Sequence, residues 1–338
     1  MSDATDFDLV ILGGGMTGLT LGYHLAQQEA ADSTDKPQAL ILEPRSNYSR
    51  DKTWCYWQHE PTPFDEAISH RWHRWRVSCN GYTHVSESAA TPYVRVDSAK
   101  FYEIGQAAIT ASDNVTLRLD DSATQVLPYK NGVSVQTKSE TIQARRVFDT
   151  RPTPTPEGIL LQHFVGWEIE TDVDVFDPST VTLMDFAAEA EDIHFFYVLP
   201  MSPRHALIET THFSTQVLDE ADYAAEITDY LHQRFEISRW QIRHQEQGVI
   251  PMPRQAPDLS RRPHSHIVPM GLHSDTVKPS TGYCYPHAQV QARRQVDALC
   301  SNPEAMTVPA RSRLNRWFDA VFIGFLERHP QRAGEIFF

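Results

Sequence analysis

The sequence predicts a mixed α/β protein in which an open sheet with crossover helices is interleaved with a second, β-rich domain. Three observations carry this expectation. The first 43 residues read as strand, glycine-rich turn, helix, strand and terminal acid. A helix and four short β segments follow between residues 98 and 149. Beyond a proline-rich break lies a long apolar hairpin, residues 195–214. A chain of 338 residues has room for one large or two intertwined domains.

The first element is the apolar run Phe7 to Leu12, followed by Gly13-Gly14-Gly15-Met16-Thr17-Gly18 and by helix-spaced Leu19, Leu21 and Leu25. A second run, Ala39 to Leu42, ends at Glu43. This order is the dinucleotide fingerprint of a Rossmann-like βαβ unit. Gly13 permits the tight turn, Gly15 lets the backbone approach a pyrophosphate, and Gly18 lets the helix pack on the sheet. Met16 opens the helix, whose free N–H groups and dipole favour the phosphate charge. Glu43 is placed to accept from the ribose hydroxyls.

Phe101, Ile104 and Ala108 are spaced for one helix face. The β segments 115–119, 125–129, 132–136 and 146–149 then return to the nucleotide fold at an acidic turn, Asp149. That pattern belongs to FAD-binding domains of the glutathione-reductase/hydroxylase type. Arg151 to Pro156 reads as a linker. A helix is expected over 220–235, then a strand at Gln247 to Met252. The loop Lys278-Pro279-Ser280-Thr281-Gly282-Tyr283 has the small residues that suit close backbone approach to a flavin. The expected domains are 1–75, 95–160 and 245–300 for FAD binding, 76–94 and 161–244 for substrate, and 301–338 as a C-terminal helical segment.

That last segment carries Leu314, Trp317, Phe318, Val321, Phe322, Phe325 and Leu326 as a wide apolar helix face, with Arg311, Arg313, Arg316, Arg328 and Arg332 around it. Burial against the sheet is the expected use, with one end left for a membrane interface.

Composition narrows the function. The hydrophobic share of 41% and charged share of 22% are those of a globular chain. A formal net charge of -14, from 30 basic and 44 acidic residues, repels a phosphate backbone, so no nucleic-acid partner is expected. No run approaches a membrane span; Ala320 to Leu326 is seven residues. The N-terminus is acidic where a secretory signal is basic. A cytoplasmic protein, peripheral on the membrane, is the expectation. Cys55, Cys79, Cys284 and Cys300 form no Cys-x-x-Cys pair and are expected as reduced thiols. His264 and His266, two apart, are read as part of a basic loop with Arg261, Arg262 and Pro263, and no metal site is expected.

The hairpin holds the most telling residue. Leu207, Glu209 and Thr211 share one strand face, and Ala206, Ile208 and Thr210 the other. Glu209 therefore sits in an apolar stretch, as does Asp185 within Leu183-Met184-Asp185-Phe186. A carboxyl that loses hydration keeps its proton and can act as a general acid. Spacing alone leaves open a structural carboxylate or an ion pair with Arg204.

Taken together, the segments resemble the bacterial-type lycopene β-cyclases, FAD-dependent carotenoid-modifying proteins. The matching pieces are Asp8 to Gly15, Lys52-Thr53-Trp54 with Trp57, Gln162-His163-Phe164-Val165-Gly166-Trp167-Glu168, Leu183 to Phe186, the hairpin 195–214, Gly248 to Pro251 and Pro279 to Tyr283. The resemblance implies acid-catalysed closure of the ψ ends of lycopene to β-ionone rings, with no net oxidation. It also implies reduced FAD, NAD(P)H as reductant, and Glu209 as acid or base with Asp185 as second choice. Cys284 departs from the small hydroxyl residue common there. Relatives continue past a point like Phe338, so a helical element of the cavity is expected beyond it.

The rival readings are a flavin monooxygenase or reductase of a hydrophobic substrate, and a lipid carrier on the same fold. Monooxygenases of that type place Gly-Asp before the Pro-x-x-x-Gly loop, whereas here Leu272 follows Gly271 and Thr150 follows Asp149. A carrier has no need of Gly13, Gly15, Gly18 and Glu43 together.

Overall fold

The computed structural model describes residues 5–28, 36–152, 157–187, 192–254, 264–274, 276–301 and 311–338. Part of the linker, residues 153–156, and Arg261 to Pro263 lie outside these. Strands are β1 (Phe7–Leu12), β2 (Ala39–Leu42), β3 (Thr53–Trp57), β4 (Ile68–Trp72), β5 (Arg74–Cys79), β6 (Tyr82–Glu87), β7 (Tyr93–Asp97), β8 (Val115–Arg118) and β9 (Gln125–Tyr129). They continue as β10 (Gly132–Gln136), β11 (Thr141–Asp149), β12 (Leu161–Glu170), β13 (Thr180–Phe186), β14 (Ile193–Ser202), β15 (His205–Ser214), β16 (Gln241–Pro251) and β17 (Ile267–Pro269). Helices are α1 (Met16–Ala26), α2 (Ser98–Thr110), α3 (Glu220–Phe235), α4 (Tyr285–Ser301), α5 (Arg313–Arg328) and α6 (Ala333–Phe337).

The first sheet has the order β8-β2-β1-β11-β10-β9, with β17 alongside the end of β11. Its central strands run parallel and are covered on both faces, which is why they read as unbroken apolar runs. Leu19, Leu21 and Leu25 of α1 are wholly buried against it, with Phe101 and Ile109 of α2.

The second sheet has the order β16-β12-β15-β14-β13-β5-β6. Its pairing moves two expected domain boundaries. β16 pairs with β12 along its whole length, so the break at 244/245 falls inside a strand of the second sheet, and the break at 75/76 falls inside β5. A small third sheet has the order β3-β7-β4; its Tyr56, Val94 and Val96 join the core under the first sheet, and its Trp72 and Tyr93 pack with Leu199 and Leu207 of the second.

Each face of the second sheet has its own chemistry. One face takes α3: Tyr223, Ile227 and Leu231 pack on Val165, Trp167, Ile169, Val198 and Ile208. That face also carries a rung of three histidines, since His163 pairs with His212 and His212 with His194 across β12, β15 and β14. The His194 and His212 rings stack at 4.0 Å and 11°. Glu226 of α3 accepts from His212 Nε2 at 3.1 Å and from the Thr210 hydroxyl at 2.6 Å. Burial opposes charge on His212, but its bonds to Asp192 and Glu226 outweigh burial and hold its pKa at about 9. Burial and then the His212 charge push His163 and His194 down to about 4. One imidazolium and two neutral rings therefore pin α3 to the sheet.

A group whose folded pKa is raised gives stability that is full below its unfolded pKa and is lost as pH rises through its folded pKa. His212→Gln is therefore expected to lower stability by roughly 2 kcal/mol at pH 6.5 and below. The wild-type advantage should vanish as pH rises from 6.5 to about 9. Paired thermal melts across that range check it.

Candidate active site

The glycine turn is shaped for a dinucleotide. Gly13 has φ +98°, a conformation that favours glycine. A Cβ on Gly18 would lie 1.9 Å from the Gly13 carbonyl oxygen, so helix and turn are in backbone contact there. A Cβ on Gly15 would meet nothing within 4 Å. Gly15 caps α1 without a side-chain bond, and the first turn holds no acid. The N-terminal N–H groups of α1 therefore carry the positive end of the helix dipole without a side-chain cap. Met16, in that turn, packs against the core.

Glu43 is buried at the end of β2, where its carboxylate accepts from the Gly14 N–H at 2.7 Å and from Arg45 Nε at 2.7 Å. Burial alone would raise its pKa; the Arg45 side chain and the backbone N–H groups of Arg45 and Gly14 outweigh that and lower it. It is an ionised acceptor fixed beside the turn. Asp149 ends β11 next to Leu12, with its carboxylate held by Arg151 at 2.7 Å.

The Pro279–Gly282 loop lies against β12 and β16 of the second sheet. Gly282 has φ +72°, and a Cβ there would lie 2.3 Å from Gln162 Oε1. Gln162 Oε1 and Thr281 Oγ1 are both buried without a hydrogen-bond partner. Two orphaned polar atoms beside a backbone with no room for a side chain fit a flavin, whose ring edge offers a donor and acceptors. Ser280 anchors the loop by donating to Asp319 of α5 at 2.6 Å, and Arg311 pairs with the same carboxylate.

Glu209 lies on the sheet face opposite α3. Its cross-strand neighbour on β14 is Tyr197, and on β12 it is Gly166. The Tyr93 hydroxyl bonds those of Tyr197 at 2.5 Å and Tyr283 at 2.8 Å, linking the 279–283 loop to β14, the strand beside the acid's own. Trp57 packs on Tyr93 at 4.8 Å, and Leu199 and Leu207 complete the apolar lining. Burial first, and then the nearby charge of Glu246, raise the Glu209 pKa to about 8; the Thr211 hydroxyl, donating at 2.8 Å, opposes this. Arg204 does not pair with it: that guanidinium is exposed and binds Asp174 at 2.5 Å. At neutral pH Glu209 holds its proton in a dry, aromatic surround.

Asp185 is not its companion. The register Asp185↔Phe196 places it on the α3 face, where it accepts from Tyr230 at 2.9 Å and pairs with Arg234 at 3.3 Å. The expectation that it is a second dry acid is corrected by that ion pair. On the Glu209 face the structure instead brings Glu246, Glu168, Arg50 and Arg95, none given a role from sequence. Glu168 is buried and bonded to Arg95 at 3.0 Å, to Arg50, and to His205 at 2.9 Å. The alternation of β12 and β16 places Glu168 and Glu246 on this face, but only the pairing of those strands brings them beside Glu209. His264 and His266 tilt against each other at 5.3 Å near β17. His194, His212 and Glu226 bring one ligand atom each within 4.8 Å of one another, and their contacts are those of the ion-pair network under α3.

The fold is that of two-domain flavoprotein reductases and hydroxylases. It matches a geranylgeranyl bacteriochlorophyll reductase-like protein from Thermoplasma acidophilum, with a TM-score of 0.67 and 13% identity over 96% of this chain and 84% of that one. It also matches p-nitrophenol 4-monooxygenase from Pseudomonas putida, with a TM-score of 0.61 and 11% identity over 98% and 96%. The chain belongs to the lycopene cyclase family, whose description, "Lycopene cyclase protein", covers residues 8–336. It is 25% identical to the lycopene beta-cyclase of Pantoea ananas over 97% of this chain and 84% of that protein. It is 33% identical to the lycopene beta-cyclase of Paracoccus sp. (strain N81106 / MBIC 01143) over 44% and 39%.

Two glycine substitutions separate binding from folding. Gly15→Ala fills open space at φ -72°, so its melting temperature should match wild type while flavin content per chain falls. Gly18→Ala drives a methyl into the Gly13 carbonyl and should cost on the order of 3 kcal/mol. Thermal melts with flavin absorbance on the same samples distinguish them.

Proposed function

We propose that this chain is a lycopene β-cyclase, closing the ψ ends of lycopene to β-ionone rings without net oxidation. The observation that carries the reading is Glu209, a carboxylic acid held protonated on an aromatic sheet face beside the flavin loop. In the proposed reaction its O–H breaks as a C–H bond forms at the terminal double bond of the substrate. The resulting tertiary cation is attacked by the next double bond, and loss of a ring proton to a carboxylate completes the ring. Proton and electron counts are unchanged.

Gly13, Gly15, Gly18 and Glu43 would hold the dinucleotide part of FAD, and Thr281, Gly282 and Gln162 its ring. A flavin held there in its reduced form, with NAD(P)H as reductant, would supply negative charge favouring the forming cation. Trp57, Tyr93, Tyr197 and Tyr283 surround the acid with π faces, which also stabilise positive charge and exclude water.

A hydrocarbon substrate comes from lipid, and α5 supplies a surface for it. Ile323 and Leu326 are buried, while Leu314, Trp317, Phe318 and Val321 are more than half exposed, at 61%, 59%, 56% and 52%. Arg313 and Arg328 flank that apolar patch and are exposed. Aromatics beside arginines on an acidic protein favour an anionic bilayer surface. No described helix is long and apolar enough to cross a membrane. Peripheral association on the cytoplasmic side is part of the proposal.

Glu209→Gln is expected to reduce β-carotene formation in lycopene-producing cells by about 10³-fold, the middle of the range for general acid catalysis, with flavin content unchanged. Wild-type-like pigment would overturn the assignment. Because the folded pKa of the acid is raised to about 8, activity should be flat below that value and fall as pH rises through it. Product of unchanged mass is required; oxygen uptake coupled to NAD(P)H would indicate hydroxylation instead.

A further inference from the structure

Glu246 stands in an unusual relation to the acid. Gly166 of β12 is register partner to Glu209 on one side and to Glu246 of β16 on the other. Directly opposed residues share a face, so the two carboxylates flank a position with no side chain. Both lean over it: a Cβ on Gly166 would lie 3.3 Å from Glu246 Cγ and 3.6 Å from Glu209 Cβ.

The surroundings of the two acids differ. Beside Glu209 are the Thr211 hydroxyl and the phenols of Tyr197 and Tyr283, with the Cys55 thiol. Burial raises the Glu246 carboxyl above its ordinary value, while the Thr53 hydroxyl and the charges of Arg95, His244 and Arg50 act to lower it. The cations lie on the Glu246 side, so in a pair that carries one proton Glu246 is the ionised member.

We infer that Glu246 is the positioning partner of the acid: the two carboxylates hold one proton between them across Gly166, and the negative charge of Glu246 keeps that proton on Glu209. The inference deepens the cyclase reading and rests on it. Within one turnover Glu209 gives its proton to the substrate double bond, the ring proton returns to the carboxylate pair, and the charge of Glu246 sends it to the Glu209 oxygen. The pair begins and ends with one proton, no electrons change hands, and no exchange with water is needed. Two strands joined by bare backbone form a notch in which the proton is held away from solvent. Burial alone already raises the Glu209 pKa, and the charge of Glu246 adds to it.

The test uses purified flavin-bound protein with Glu246→Gln and Glu246→Asp. Removing the charge lowers the Glu209 pKa, so the alkaline limb of the pH–rate profile of Glu246→Gln should move to lower pH by roughly one unit, a tenfold change in the protonated fraction on that limb. Glu246→Asp, which keeps the charge, should retain the wild-type limb. The carbonyl stretch of a protonated carboxyl, absent in Glu209→Gln, should titrate in parallel by infrared spectroscopy. A Glu246→Gln limb and carboxyl band that stay at the wild-type pH would overturn the inference. So would equal loss of activity in both Glu246 variants with no shift of the limb, the mark of a merely structural residue. If wild type converts no lycopene, the cyclase reading fails, and the infrared titration still decides whether the two carboxylates share a proton.

Discussion

The site depends on one constraint: a carboxyl group kept from water and from direct contact with a cation. Glu209 meets it because its strand face is closed by Trp57, three tyrosines and two leucines. The same constraint costs stability. The folded state binds a proton near neutral pH that the unfolded chain releases, so the stability contribution is full only below about 4.5 and is lost as pH rises through about 8. At pH 7 the cost is on the order of 3 kcal/mol. Such a cost near the middle of a hairpin is the familiar exchange of stability for activity.

The rest of the second sheet compensates. The α3 face holds charge in satisfied form, with the His212 imidazolium between Glu226 and Asp192, and Asp185 between Tyr230 and Arg234. The opposite face confines its cations to the β12 and β16 side, where Glu168 takes Arg50 and Arg95. A two-residue period lets one hairpin serve both demands: Thr210 and His212 look toward α3, while Glu209 and Thr211 look toward the flavin loop.

Much of this was legible in the chain. Local rules suffice for the glycine turn, for α3 over Glu220–Phe235 and for the hairpin, because apolar periodicity and turn residues act over a few positions. Glu209 was legible as an acid on an apolar face. Asp185 looked alike and is not, because a bulge between Thr182 and Asp185 and the pairing with Phe196 set its direction. Glu246 was hidden for the same reason: β16 and β15 are joined only through β12, and a relation across three strands leaves no trace in sequence spacing. Two domain boundaries failed likewise, since pairing rather than composition assigns β5 and β16 to their sheet.

Asp319 gives the chain's last helix a second meaning. It is buried, paired with Arg311, and bonded to Ser280 of the flavin loop. Breaking one member of a buried pair typically costs about 3–5 kcal/mol. Shortening the chain to remove α5 would therefore strip the flavin loop of its anchor as well as trim the surface. For anyone expressing pieces of this protein, the loop at residues 279–283 and the segment after residue 311 belong in the same piece.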